Sequence, residues 1–214
     1  MPLTIDDSAA QWSAPPSERA GRPLVVLMHG YGSNENDLIG LVPELPAEPV
    51  YVSLRAPLTA PWPIDGFSWY PLGEPSAPEP EPVTAAAESV LSWLAPHAEA
   101  ASAVGVAGFS QGGAMSLQLL RLAPETLSFA INLSGYASPG ELPGDEVLLE
   151  RRPPVFWGRG TADEVIPESA IVRTTDWLPA RSTLSGRIYE GLAHAVSAEE
   201  IADVREFIRR GFGL

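Results

Sequence analysis

Short apolar runs recur along the chain and alternate with stretches of helical spacing. Runs of strand length lie at 24–28, 50–54, 103–109, 128–133, 154–157 and 185–189, bounded by Gly, Pro and small polar residues. Between them the spacing predicts helices over 35–41, 84–96, 111–122, 169–178 and 198–210. The last has a capping-box signature, Ser197 with Glu200 three residues on. Near-continuous apolar strands separated by helices imply a parallel sheet covered on both faces. A short antiparallel strand is expected around 11–13, before the first parallel strand. No internal repeat is present.

One segment breaks this rhythm. Residues 57–82 are rich in Pro and carry Trp62, Phe67, Trp69 and Tyr70. Loops of that length are usually functional or disordered, and aromatic residues argue against disorder. Phe67, Trp69 and Tyr70 are therefore expected to form part of a substrate pocket. The competing reading is that they only cover the sheet edge. Residues 75–82, with Glu74, Glu79 and Glu81 in or beside them, read as an exposed tether.

The chemistry-bearing motif is Gly108-Phe109-Ser110-Gln111-Gly112, which follows a strand run and opens a helical one. Strand, Gly-X-Ser-X-Gly turn and helix make a nucleophile elbow, which holds a serine hydroxyl out at the end of a strand. A serine needs a base, and the base needs an orienting acid. The chain has three histidines. His29 lies in a glycine loop directly after the first parallel strand. His97 sits at the polar end of a helix and reads as a solvated surface residue. His194 lies on the loop after the last strand, where it can reach Ser110. Asp163 follows a strand and a turn and falls between serine and histidine in the chain order this arrangement uses. Glu164 is its rival, with Asp145, Glu146 and Asp176 weaker ones. Two backbone donors are expected for a developing oxyanion: the amide of Gln111 at a helix N-terminus and that of Tyr31 in the loop His29-Gly30-Tyr31-Gly32. His29 then reads as a structural residue that holds this loop.

These segments, in this order, resemble the carboxylesterase/phospholipase family of α/β-hydrolases, which includes acyl-protein thioesterases and small bacterial carboxylesterases. The resemblance is carried by the run from Leu24 to Gly32, Arg55-Ala56-Pro57, Gly108-Phe109-Ser110-Gln111-Gly112-Gly113, Leu133-Ser134-Gly135-Tyr136, Gly160-Thr161-Ala162-Asp163-Glu164-Val165-Ile166-Pro167 and Gly191-Leu192-Ala193-His194. It implies an α/β-hydrolase fold with a mostly parallel central sheet and helices on both faces. It implies Ser110, Asp163 and His194 as a triad, with Tyr31 and Gln111 as oxyanion donors. It implies a serine carboxylesterase acting on short- to medium-chain esters through an acyl-enzyme, with no metal or organic cofactor. A thioesterase or lysophospholipase with the same machinery is the alternative, and a non-catalytic hydrolase-fold binding protein is the reading from another class. Dimers occur in the family, so a homodimer is expected. The sequence departs from the family in having Arg159 where a histidine often precedes the glycine of the acid loop.

Composition narrows the picture further. A chain of 214 residues with 45% hydrophobic content suits one core, so a single domain over 1–214 is expected. The absence of cysteine excludes disulfides and thiol chemistry. The first residues lack a basic region followed by an apolar run, and no run has the length of a membrane span, so a cytoplasmic protein is expected. The formal net charge is −14, and every basic residue is Arg. That balance argues against nucleic acid or an anionic bilayer as a partner and leaves a small-molecule ester as the expected one.

Overall fold

The computed structural model describes residues 2–73 and 79–214. In chain order its strands are β1 (Gln11–Trp12), β2 (Leu24–Met28), β3 (Val50–Leu54), β4 (Leu58–Thr59), β5 (Phe67–Ser68), β6 (Val104–Phe109), β7 (Phe129–Leu133), β8 (Pro154–Gly160) and β9 (Thr183–Tyr189). The helices are α1 (Pro80–Ala100), α2 (Gln111–Leu122), α3 (Gly144–Arg151), α4 (Glu168–Arg181) and α5 (Ala198–Phe212). Seven strands form one sheet in the order β1-β3-β2-β6-β7-β8-β9. Every neighbouring pair is parallel except β1–β3, where Gln11 faces Ser53 in the antiparallel sense. Strands β4 and β5 form a separate hairpin.

Parity along the central strands divides the core. Leu24, Val26 and Met28 join Val52, Leu54, Val90, Leu94, Met115 and Leu119 on one face. Val25 and Leu27 join Phe129, Ile131, Phe156, Val204, Phe207 and Ile208 on the other. Strand β2 is thus buried on both sides, which is why its run carries no polar alternation. Crossover helices on both faces leave the carboxyl ends of β6, β8 and β9 open at one edge of the sheet. Ligand sites of open α/β sheets form at that edge.

Three elements differ from the sequence pattern. The helix predicted over 35–41 is a 3-10 helix at Leu38–Glu44. Local side-chain bonds compete for the chain before it: Asn34 Oδ1 accepts the Asn36 amide at 2.9 Å, and Ser33 Oγ donates to Asp37 Oδ2 at 2.8 Å. Helix α1 begins at Pro80, so 80–82 are its first turn, where proline is tolerated. Residues 75–78 of the expected tether lie outside the described residues. Helix α3 has no clear apolar period. It is held instead by buried Arg121, 1% exposed, whose guanidinium donates to both oxygens of Asp145 at 2.8 and 2.7 Å. His97 is less solvated than expected: its ring packs 4.4 Å from that of Trp93 and 5.2 Å from that of Trp12.

The N-terminus of α5 is capped by Ser197, whose Oγ accepts the Glu200 amide at 3.1 Å. The Glu200 side chain turns inward instead of closing the box. It is fully buried against Gly158 of β8, and among the described residues neither carboxyl oxygen has a hydrogen-bond partner. Burial raises its pKa to about 7, against a smaller lowering by the nearby Ser197 amide and with a still smaller contribution from the charge of Asp203. An unfolded glutamate titrates near ~4.3, so between those values the folded state keeps a proton that the unfolded state has released. Stability from this group therefore falls as pH rises through that window and levels off above it. The penalty is on the order of 3 kcal/mol, at about 1.4 kcal/mol per pKa unit. Glu200→Gln should flatten the dependence, so the loss of Tm between pH 5 and pH 8 should be smaller than in the wild type. Thermal melts across that range would check it, and an unchanged slope would count against the assignment.

Candidate active site

Strand β6 ends at Phe109, and α2 begins at Gln111. Ser110 between them has φ 55° and ψ −114°, a conformation that non-glycine residues rarely adopt. Two backbone bonds hold it there. Its amide donates to the Leu133 carbonyl at 2.8 Å, and its carbonyl accepts from Ala114 at 3.0 Å. The flanking glycines are required by space. A Cβ at Gly108 would overlap the Gly112 carbonyl, and one at Gly112 would overlap the Met28 carbonyl.

The three residues expected as a triad come together. His194 Nε2 lies 2.8 Å from Ser110 Oγ, and Nδ1 lies 2.8 Å from Asp163 Oδ2. A carboxylate can only accept, so the ring proton sits on Nδ1 and Nε2 is free to accept from the serine. The other Asp163 oxygen accepts the amides of Val165 and Ile166 at 2.9 and 3.2 Å. Those bonds aim the carboxylate and explain why an aspartate stands at this turn. The rivals lie elsewhere. Glu164 and Asp176 are exposed, and Asp145 is committed to Arg121.

The loop carrying Tyr31 is braced from beneath. His29 is fully buried. Its Nε2 accepts the Ala56 amide at 3.1 Å, so Nδ1 carries the proton and donates to the Gly30 carbonyl at 2.7 Å. Burial lowers the His29 pKa, in keeping with a neutral structural ring. Glu35, four residues beyond Tyr31, receives two bonds from Arg55 at 2.7 and 2.5 Å, and this guanidinium holds its carboxyl below the usual range. The β4–β5 hairpin adds a third brace. Gly32 N–H donates to the Phe67 carbonyl at 2.9 Å, and Phe67 N–H donates to the Ser33 carbonyl at 2.8 Å. Sequence reasoning missed Glu35 and Arg55 as partners. The Arg55-Ala56-Pro57 motif was the available signal, but nothing local pairs two residues twenty apart.

An apolar cavity of about 300 Å³ opens over Ser110 and His194. Among the described residues its wall includes Tyr31, Leu72, Phe109, Tyr136, Val165 and Ile166. Leu72 and Val165 are 56% and 61% exposed and stand at the rim. Phe67, Trp69 and Tyr70 are not in this wall, which corrects the pocket expected from the aromatic segment. Trp69 and Tyr70 are fully buried. Trp69 Nε1 donates to the His29 carbonyl at 2.9 Å, and its amide donates to Gln111 Oε1 at 2.8 Å. Gln111 Nε2 donates to the Tyr70 carbonyl at 2.7 Å, and the Tyr70 hydroxyl meets that of Tyr136 at 3.0 Å. The segment instead reaches the cavity at Leu72 and Gly73. Trp69 sits behind the Tyr31 loop because its N–H needs a buried acceptor, and the His29 carbonyl supplies one.

A mostly parallel sheet with serine, acid and histidine at its carboxyl edge defines an α/β-hydrolase. The family model for Phospholipase/Carboxylesterase matches residues 14–211, and the chain belongs to that family. A probable carboxylesterase of Oryza sativa is 33% identical, over 49% of this chain and 40% of that protein. An acyl-protein thioesterase 1 of Yarrowia lipolytica is 26% identical, over 90% of this chain and 93% of that protein. The chain spans about half the length of several other curated relatives that it matches. The solved structure of esterase PE8 is 26% identical with a TM-score of 0.76, covering 97% of this chain and 99% of that one. Among the described residues, no helix is long and apolar enough to cross a membrane.

With Trp69 in the core, Trp69→Phe should destabilise the fold by about 1–3 kcal/mol through the orphaned His29 carbonyl. Turnover of short and long acyl substrates should change by the same factor. A denaturant melt beside a chain-length series checks both halves.

Proposed function

We propose that this chain is a serine esterase that hydrolyses short- to medium-chain carboxylic esters through an acyl-enzyme. The observation that carries this reading is the continuous relay from Asp163 through His194 to Ser110, with both hydrogen bonds at 2.8 Å. An ester enters the apolar cavity with its carbonyl carbon over Ser110 Oγ. His194 Nε2 takes the serine proton as Oγ bonds to that carbon. Asp163 holds the imidazole in the productive tautomer and stabilises the imidazolium. The amides of Gln111 and Tyr31 receive the oxyanion. Gln111 opens α2, where the first-turn amides have no intrahelical acceptor and the helix dipole favours negative charge. His194 returns its proton to the departing alkoxide, and the alcohol leaves. Water, deprotonated by the same histidine, then attacks the acyl carbon and frees Ser110.

On this reading the braced loops hold catalytic groups and donors ready before substrate arrives. Donors already aimed at the developing oxyanion need no reorganisation during the reaction, and this usually supplies most of the rate enhancement in acyl transfer. The apolar wall of Leu72, Phe109, Val165 and Ile166 suits an acyl chain better than a charged group. The net charge of −14 further disfavours anionic substrates. Thioesters are the second reading, favoured by the Yarrowia lipolytica acyl-protein thioesterase that aligns over nearly the whole chain. The chemistry is the same with a better leaving group.

Hydrolysis rates for acetyl, octanoyl, thioester and lysophospholipid substrates separate the readings. Ser110→Ala should lower kcat by on the order of 10⁶-fold with the fold intact. Asp163→Asn should lower it by roughly 10⁴-fold through the wrong histidine tautomer, while Glu164→Gln leaves it near wild type. Near wild-type turnover by Ser110→Ala would sink the mechanism.

A further inference from the structure

Asp163 also lines a much smaller cavity, of about 10 Å³. Its wall includes Ser134, Trp157, Arg159, Asp163 and Ile166. Among the described residues, two buried polar atoms on residues of this wall have no protein partner, the Ser134 hydroxyl and the Trp157 indole N–H. Leaving either unpaired in the interior costs ~1–3 kcal/mol. Ser134 is also held at φ 50°, in the left-handed region, by its amide bond to the Gly158 carbonyl at 2.8 Å. The motif Leu133-Ser134-Gly135-Tyr136 thus places a hydroxyl at a strained position that the reaction does not use directly.

We propose that Ser134 and Trp157 are positioning residues for Asp163, acting through one water molecule bound in this cavity. The size and the chemistry agree. A single water needs roughly 10–15 Å³ of such space and two to four polar partners. Here the water oxygen accepts from Trp157 Nε1–H, and its two hydrogens go to Ser134 Oγ and to Asp163 Oδ2. That carboxylate oxygen already accepts from His194 Nδ1 and has a second lone pair to offer. Asp163 then has four donors: two backbone amides, the imidazole and the water. Arg159 closes the wall, with its guanidinium 5.8 Å from the Trp157 ring centroid. The consequence is a second hold on the oxygen that bonds the imidazole, so that the His194 ring is presented to Ser110 in one orientation.

This inference rests on the triad reading, but its first two readouts need no turnover. A high-resolution crystal structure should place a water within 3.2 Å, the ordinary hydrogen-bond limit, of Trp157 Nε1, Ser134 Oγ and the Asp163 carboxylate. The proton of the His194–Asp163 hydrogen bond should give a downfield NMR resonance that moves in Ser134→Ala, in Ser134→Gly and in Trp157→Phe. In these variants kcat should fall roughly three- to tenfold, the loss of about one ordinary net hydrogen bond, with KM unchanged. Ser134→Gly separates the hydroxyl from the strain, because glycine relieves φ 50° while still removing the oxygen. A dry cavity, or one filled by the Arg159 guanidinium, would overturn the proposal. So would a resonance and kcat that change in Ser134→Ala but stay at wild-type values in Ser134→Gly, since strain alone then accounts for them. An inactive wild type with the water in place would instead count against the esterase reading.

Discussion

At Gly112 the first turn of α2 lies against the carbonyls of Met28 and His29, and Gly108 passes under Gly112 with no room for a Cβ at either position. This close approach sets the geometry of everything around it. It forces the chain to turn within Ser110, at φ 55°, and so lifts the hydroxyl clear of the sheet. It also brings the unpaired amides of α2 beside the carboxyl end of β2, where the Tyr31 loop begins. Ser110 and the first amides of α2 share one backbone contact, so neither can shift without the other.

A strained turn persists only where its surroundings over-determine it. Here the surroundings are mostly polar groups buried and paired. Gln111 serves two sides of the site at once. Its amide opens the helix at the site, and its side chain bonds the backbone of Trp69 and Tyr70 on the other side. Trp69 in turn bonds the His29 carbonyl, and His29 bonds Ala56 and Gly30. Helix α2, the aromatic segment, the first glycine loop and the end of β3 are thereby linked in one buried network. Such networks stabilise when fully satisfied and are costly when broken.

The acid side of the site is built differently. Asp163 depends on a local turn, receiving the amides of the two residues that follow Glu164. Beneath it, β8 meets α5 at Gly158, where Glu200 is buried without a partner. A Cβ there would overlap the carboxyl, so any larger residue would have to displace the Glu200 side chain. The supports of the Asp163 and His194 loops therefore include a carboxyl whose pKa is raised to about 7, whereas the Tyr31 loop is supported by a charged pair, Arg55–Glu35.

Much of this was legible from the chain alone, for reasons of locality. Parallel strands buried on both faces need continuous apolar runs, so β2, β3, β6 and β7 announced themselves. Ser110 was marked by flanking glycines, and Asp163 and His194 by their places after strands in the order this architecture uses. The sequence thereby determined the fold class and the three residues of the relay. Their contact was decided only in three dimensions, since His194 and Ser110 meet across 84 residues. The tertiary structure also decided which aromatics face the cavity. Trp69 looks like a pocket residue until the buried carbonyl that claims its indole N–H is in view. It decided that α3 is a helix, through a buried Arg121–Asp145 pair that no apolar period foreshadows, and that 35–41 is not an α-helix. Periodicity and turn chemistry act between neighbours. Burial, and the pairing of polar groups it compels, act between residues that only the folded chain brings together.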